Sequence, residues 1–394
     1  MSGTPRNWLI LAGLTLGVCV TNGFARFAYG LLLPAMRAEL GWSYTQAGWL
    51  NTANALGYVV GAVLTLALLR RLPPAPLFAF GVWTTAITLF ATGLNEALWA
   101  QSFWRFAAGL MGAMSFATGG ALAAALFTDQ PRRNALSIAI YFGVGGGLGI
   151  VLSGLSVPLV LASWGNAAWA WGWIVIGLIS FAFCPLSLWA ARQLRPAAGG
   201  APKPAPVPMR KMLGLLGGYA GFGLGYIVYL TFIAAWMTSQ AAPAWQIAGV
   251  WTLVGFSICA SPFVWRGVFA RFGNGVPLAL ILVNIAVGSS LPVLWPGLLG
   301  LVVSAVVFGL SVFMAPGAVT NFARQNLPQD SWGAAIAIFT IAFAIAQTLG
   351  PVGAGMIGDA TGTIGASLLA ASAILLCGAV CALSQRVLAT EQAE

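Results

Sequence analysis

Long apolar runs, broken by short polar gaps, cover almost the whole chain. Crossing the hydrocarbon core takes roughly 20 apolar residues. Runs of that length recur over about 8–34, 45–69, 76–95, 97–126, 135–161, 168–191, 212–239, 244–266, 275–294, 297–320, 332–357 and 363–386. In lipid the backbone polar groups must be satisfied within each run, so the pattern predicts twelve helices. Glycine and proline are commoner in membrane helices than in soluble ones, so their abundance here does not argue against this reading. The expected fold class is an all-α polytopic membrane protein.

Charge then orients the spans. Only 6% of the 394 residues are charged and 60% are hydrophobic, too little charge to cover a soluble surface of this size. Arg6, Arg70, Arg71, Arg132, Arg133, Arg192, Arg195, Lys203, Arg210, Lys211, Arg266, Arg271, Arg324 and Arg386 fall in one alternate set of gaps, and only Arg37 falls in the other. The positive-inside rule makes the first set cytoplasmic, together with both termini. The net charge of +10 is spread over short loops, which implies lipid phosphate and not nucleic acid as the partner. The first run follows Arg6 and is too long for a cleavable signal peptide.

The missing residue types matter as much. There is no histidine, so no His metal site, triad or proton relay is expected, nor any cofactor or metal. The five cysteines lie in apolar runs without a CxxC spacing and read as buried structural thiols. Glu39 and Glu96 fall in outer loops, Asp129 and Asp330 in inner loops, Glu391 and Glu394 in the tail, and Asp359 near the outer end of span eleven. An embedded enzyme would need an acid–base or nucleophile constellation at one depth, and none is visible.

The longest hydrophilic gap, 192–211, contains the Pro/Gly-rich stretch Pro196–Pro208 and reads as a flexible cytoplasmic linker. It divides the chain into 1–191 and 212–394, with six spans each. At an offset of 200, Gly23 and Tyr29 match Gly223 and Tyr229, Gln46 matches Gln246, Gly109 matches Gly309 and Met114 matches Met314. Parallel six-helix repeats arise by duplication.

These features resemble the major facilitator superfamily over essentially the full chain. Gly23-Phe24-Ala25-Arg26-Phe27-Ala28-Tyr29-Gly30-Leu31-Leu32-Leu33-Pro34 and Gly41-Trp42-Ser43-Tyr44-Thr45-Gln46-Ala47-Gly48 resemble its bacterial YbfB/YjiJ-type branch. Arg105-Phe106-Ala107-Ala108-Gly109 resembles the superfamily's intramembrane Arg-x-x-x-Gly motif, and Gly350-Pro351 with Gly353, Gly355 and Gly358-Asp359 a second-half pattern. Two elements depart from the superfamily: Arg70 and Arg71 have no acidic companion, and the Gly-rich run of span five lacks its proline. The resemblance implies two pseudo-symmetric six-helix bundles in a bacterial inner membrane, alternating access, a small-molecule substrate and a functional monomer.

Arg26 and Arg105 are the two basic residues that topology leaves unexplained. An arginine near the bilayer centre costs at least about 2.5–3.5 kcal/mol and faces a cavity or a partner. Counting from Pro34 and from the start of span four places both about 12 Å from the outer end, as a pair able to hold an anion. The other reading of Arg105 is structural, bonding backbone carbonyls. Asn22 and Tyr29 share a stripe with Arg26, and Asn51, Asn54 and Tyr58 form a second stripe on span two. Tyr219, Phe222, Tyr226 and Tyr229 line span seven, with Tyr226 in the place of Arg26; Thr340, Phe343 and Gln347 lie on span eleven. The expected site is therefore Arg26, Arg105, Asn22, Tyr29, Asn54, Tyr226, Tyr229 and Gln347, basic on one wall and aromatic on the other. It suits a carboxylate on an apolar or planar body. Asp359 is the candidate for proton coupling, set against a structural role at the helix end. The alternative function is efflux of amphipathic compounds with Arg105 structural.

Overall fold

Helices account for nearly all of the described residues, 4–194 and 207–388, in the computed structural model of the chain. Arg195, Lys203, Glu391, Glu394 and most of the expected linker lie outside the described residues. The twelve spans are α1 (Pro5–Leu40), α2 (Tyr44–Leu68), α3 (Pro74–Thr92), α4 (Leu98–Ala124), α5 (Arg132–Trp164), α6 (Asn166–Arg192), α7 (Met209–Ser239), α8 (Ala244–Arg271), α9 (Val276–Leu294), α10 (Leu298–Asn326), α11 (Trp332–Thr361) and α12 (Ile364–Leu383). We call the side where α1 begins and α12 ends the terminal face, and the other side the far face.

The first span is longer than its apolar run suggests. Pro34 lies inside the helix, where its missing N–H is tolerated. The chain turns only at Gly41, whose φ of 65° suits glycine and whose N–H caps Arg37 O. Ser43 then opens α2 with a capping box: its Oγ accepts from Gln46 N–H at 3.2 Å, and Gln46 Oε1 accepts from Ser43 N–H at 2.9 Å.

Two six-helix bundles result. In the first, α4 packs on α2 and α3, and α6 on α1 and α3; in the second, α12 packs on α7 and α9, and α10 on α8 and α9. The bundles meet through α2–α11, α5–α8 and the far half of α1 against α7. Lipid supplies no hydrophobic drive between helices, so close packing at small residues has to hold them. The repeat is visible in that packing. A Cβ on Gly309 would lie 2.7 Å from Val254 O, and a Cβ on Gly109 would press still closer on Asn54 O. Residues 54 and 254 are themselves 200 apart. The thiols divide: Cys19 and Cys184 are buried, whereas Cys377 and Cys381 are exposed on the outward side of α12, where a buried position was expected.

Within α1, Cys19–Ala28 is a π-helical stretch, buried throughout. Gly23 meets Gly149 of α5 backbone to backbone, where an added Cβ would lie 2.5 Å from Gly149 Cα. Wide turns of this kind re-aim side chains and recur at functional sites.

Hydrogen bonds between the bundles run from mid-depth to the far face. Thr52 Oγ1 donates to Thr348 O at 2.7 Å, Asn51 Nδ2 to Thr231 Oγ1 at 2.5 Å and Trp251 Nε1 to Ser153 Oγ at 3.2 Å. Farthest out, the Asp359 carboxylate of α11 accepts from the N–H groups of Tyr44 and Thr45 at 2.8 and 2.9 Å and from Thr45 Oγ1 at 2.6 Å. These N–H groups belong to the first turn of α2, where the helix offers unpaired donors and a partial positive charge. Asp359 is thus a clasp between the bundles at the far face. A charge in such an exposed position contributes about 0.3–1 kcal/mol. Asp359→Ala should shift the balance toward far-face opening by roughly two- to fivefold. Spin labels at Ala38→Cys and Gln240→Cys in a cysteine-free background would show it as a larger long-distance population; an unchanged distance distribution would count against the clasp.

Candidate functional site

The π-helical stretch sends Arg26 across the bundle interface. Its Nη2 donates to Tyr226 Oη at 2.9 Å and, in a short contact, to Gln347 Oε1. Tyr226 Oη also donates to Gln347 Oε1 at 3.2 Å. The guanidinium lies over the Tyr58 ring, 4.9 Å from its centroid, with Phe27 at 5.9 Å. Tyr226 and Gln347 are about 20 Å along their helices from the far face, near mid-depth. None of these partners is acidic, so the buried positive charge of Arg26 has no counter-ion among them.

Arg105 is engaged differently. Its Nη1 donates to Ala25 O at 2.5 Å and its Nη2 to Asn51 Oδ1 at 3.3 Å. The Tyr29 and Trp173 rings flank it at 4.9 and 5.6 Å. Asn54 Nδ2 donates to Arg105 O at 3.0 Å and to Ala25 O at 3.5 Å. Arg105 and Asn54 together hold the backbone of α1 just before Arg26. The two guanidiniums, expected at one depth, engage α2 at Asn51 and Tyr58, two helical turns or about 10 Å apart. Each guanidinium holds its own set of acceptors in this arrangement. The backbones of Arg26 and Arg105 do lie at one level, since Asn54 Nδ2 reaches both Ala25 O and Arg105 O, but the two side chains point apart.

Some buried donors near this centre have no partner. They are Asn22 Nδ2, one turn before Arg26; Gln347 Nε2, on the amide whose oxygen Arg26 holds; and Arg105 Nε. An unpaired buried polar group costs roughly 1–3 kcal/mol, and all three of these atoms can only donate.

Aromatic rings flank the same centre. On α7 and α11, Phe222 stacks on Tyr226 at 4.5 Å and 16°, Tyr219 on Phe222 at 5.7 Å and 14°, and Phe343 lies within 5.2–5.8 Å of all three at 18–26°. In the first bundle, Phe116 touches Tyr58, Tyr141 and Phe142 at 6.3, 6.5 and 4.5 Å. Tyr58, Phe116, Phe142 and Phe343 are partly exposed, and all four lie on the terminal side of mid-depth.

Comparison with known proteins fits this geometry. The family model described as "Uncharacterised MFS-type transporter YbfB" matches residues 18–383. The chain belongs to this family. A Haemophilus influenzae protein named "Putative metabolite transport protein" is 27% identical over 154 residues, 39% of this chain and 37% of its own length. The match thus spans little more than a third of that relative. Among solved structures, a bacterial homologue of the human lysosomal transporter Spinster, inward-facing and occupied, superposes with a TM-score of 0.73 at 16% identity over 97% of each chain. A mutant of the nucleoside transporter NupG superposes with a TM-score of 0.67 at 14% identity, over 94% of this chain and 98% of that one. At such identities the likeness concerns the fold. The protein is a multi-pass transporter of the major facilitator superfamily.

Within that family fold, the eight expected site residues separate into three groups. Arg26, Tyr226 and Gln347 come together, with Asn22 a turn away. Arg105, Tyr29 and Asn54 form a packed layer nearer the far face, where Tyr29 Oη donates to Ala47 O at 2.7 Å. Tyr229 turns into its own bundle, bonding Ser304 Oγ at 2.9 Å and stacking on Phe308 at 4.0 Å. Asp359 joins none of them. Thr340 is exposed and bonds Ile336 O at 2.8 Å, so it contributes nothing to the centre. Sequence reasoning contains Tyr58 and Phe343 without singling them out, and misses Phe116 and Phe142. Their spacing looks like ordinary packing until the opposite bundle is in place.

The two arginines should therefore differ in stability effect. Arg105→Ala leaves Ala25 O and Asn51 Oδ1 short of a donor and should destabilise by about 2–3 kcal/mol. In Arg26→Ala, Tyr226 and Gln347 still bond each other, and the change should stay within about 1 kcal/mol. Thermal unfolding in detergent measures both, and equal effects would contradict the division of roles.

Proposed function

We propose that this transporter moves a small organic anion, a carboxylate-bearing metabolite, by alternating access between its two bundles, divided at the 192–211 segment. One observation carries the reading: Arg26 is buried at the bundle interface with no acidic partner among the described residues, beside amide donors that lack acceptors. A carboxylate supplies both the missing charge and the missing acceptors, and charge-assisted hydrogen bonds of this kind are the strong ones.

Arg26, Asn22, Tyr226 and Gln347 hold the anion. Arg105, Asn54 and Tyr29 position the segment that carries Arg26, and Tyr229 supports α7 from within its own bundle. Arg26 bonds one residue from each of two helices of the other half, so cargo that replaces Tyr226 and Gln347 on Arg26 also loosens the bundles from each other. That links occupancy to rocking. Basic loops at the terminal face make that face cytoplasmic, in a bacterial inner membrane. The clasped far face then corresponds to an inward-facing state. The bundle interface lies within one chain, so a single copy suffices, and the protein acts as a carrier and not as an enzyme. Asp359, remote from Arg26, serves the far-face clasp and not proton transfer. Efflux of amphipathic compounds is the second reading, favoured by the structural engagement of Arg105 and the aromatic rings; it leaves the charge of Arg26 unexplained.

Counterflow in proteoliposomes separates these readings. Liposomes preloaded with mixed carboxylates should accumulate labelled carboxylate through the wild type. Losing a buried charged partner costs about 2–5 kcal/mol, so Arg26→Gln should lower exchange at least about 30-fold. Exchange by Arg26→Gln at the wild-type rate would sink the anion reading, and protection of an efflux-deficient strain against cationic amphiphiles would favour efflux.

A further inference from the structure

Resting on the anion reading above, we infer that the cargo carries one carboxylate, not two, on a flat aromatic body. The charge count comes first. Among the described residues, Arg26 and Arg105 are the only basic residues away from the faces of the membrane, and Arg105 is committed to Ala25 O and Asn51. A single guanidinium remains open to cargo. A second carboxylate on the cargo would sit among rings and amides without a cation, which hydrocarbon penalises heavily.

The shape of the body follows from the rings. Phe222, Tyr226 and Phe343 present nearly parallel faces, within 16–26° of one another. Tyr226 both belongs to that stack and bonds Arg26. Tyr58 approaches the guanidinium from the first bundle, to which Arg26 itself belongs, continuous with Phe116 and Phe142. A carboxylate on Arg26 therefore starts its body between an aromatic wall of each half, on the terminal side. A planar ring lies flat on the partly exposed Phe343 ring at the edge of this stack; a puckered saturated ring of the same size makes less contact. The unpaired Nε2 of Gln347 and Nδ2 of Asn22 add donors for the carboxylate oxygens and supply no second cation.

Binding to the full chain in nanodiscs tests this without interference from passive leak of weak acids. The probe is radiolabelled phenylacetate, with phenylacetate, cyclohexylacetate, acetate and succinate as competitors. Phenylacetate should outcompete cyclohexylacetate about three- to tenfold, as aromatic contact predicts, and succinate by about a hundredfold or more. Phe343→Leu, at a partly exposed ring, should erase the preference over cyclohexylacetate, with acetate competition reporting the anion binding that remains. Equal competition by cyclohexylacetate, a preference untouched by Phe343→Leu, or stronger competition by succinate would overturn the inference and leave the organic-anion reading standing. Phenylacetate binding that survives in Arg26→Gln would overturn both. Failure of any monocarboxylate to bind at millimolar concentration would overturn the inference, and exchange of dicarboxylates in the counterflow assay would then show whether the anion reading survives.

Discussion

A guanidinium without a counter-ion inside the hydrocarbon layer is the constraint around which this interior is arranged. Water cannot relieve it there, and a lone charge costs several kcal/mol. The chain meets this cost twice, in different ways. Arg105 is neutralised by arrangement: a carbonyl, an amide oxygen and two ring faces surround it. Arg26 receives a phenol, an amide oxygen and a ring face, all from neutral groups and two of them from the opposite bundle. The first arrangement lies within one bundle and survives any rocking of the halves. The second spans the moving boundary and holds only while the halves are together.

That contrast orders the remaining features. The glycine contact between α1 and α5 lets the π-helical stretch lie close to its neighbour, and Arg105 with Asn54 holds the carbonyl next to Arg26. These fix the base of the Arg26 side chain, while its tip depends on the other bundle. Farther out, Asp359 uses a helix end where Arg26 uses side chains, giving the interface another polar tie near water. Aromatic and small residues fill the space between, as expected where lipid offers no hydrophobic drive for helix association.

Much of the architecture is legible in the sequence because it rests on local and periodic signals. Span length, the alternation of arginine between loops and the offset of 200 all survive without knowledge of any contact. Arg26 stands out for the same reason, as a charge that the loops do not account for. What stays hidden depends on distant partners. Nothing local tells Arg105 from Arg26, since the difference lies in whether the neighbouring acceptor is Ala25 O or Gln347, 321 residues from Arg26 in sequence. Asp359 and Thr45 are 314 residues apart, and their bond needs both bundles in place. The end of α1 is misplaced for a local reason: Pro34 is a stop signal in water but not inside a packed membrane helix. The capping box at Ser43 and Gln46 marks the true boundary and is plain in the sequence once looked for.

The bond between residues 26 and 226 also bears on history. The two positions are equivalent under the offset that relates the halves, and they touch. In a two-fold dimer of identical six-helix chains, each such position would have faced its own copy. Two arginines there would repel, and two tyrosines would leave no charge to attract an anion. An arginine bonded to its own counterpart's phenol became possible only after the two copies could diverge. The asymmetry that makes this centre useful is therefore younger than the duplication that built the fold.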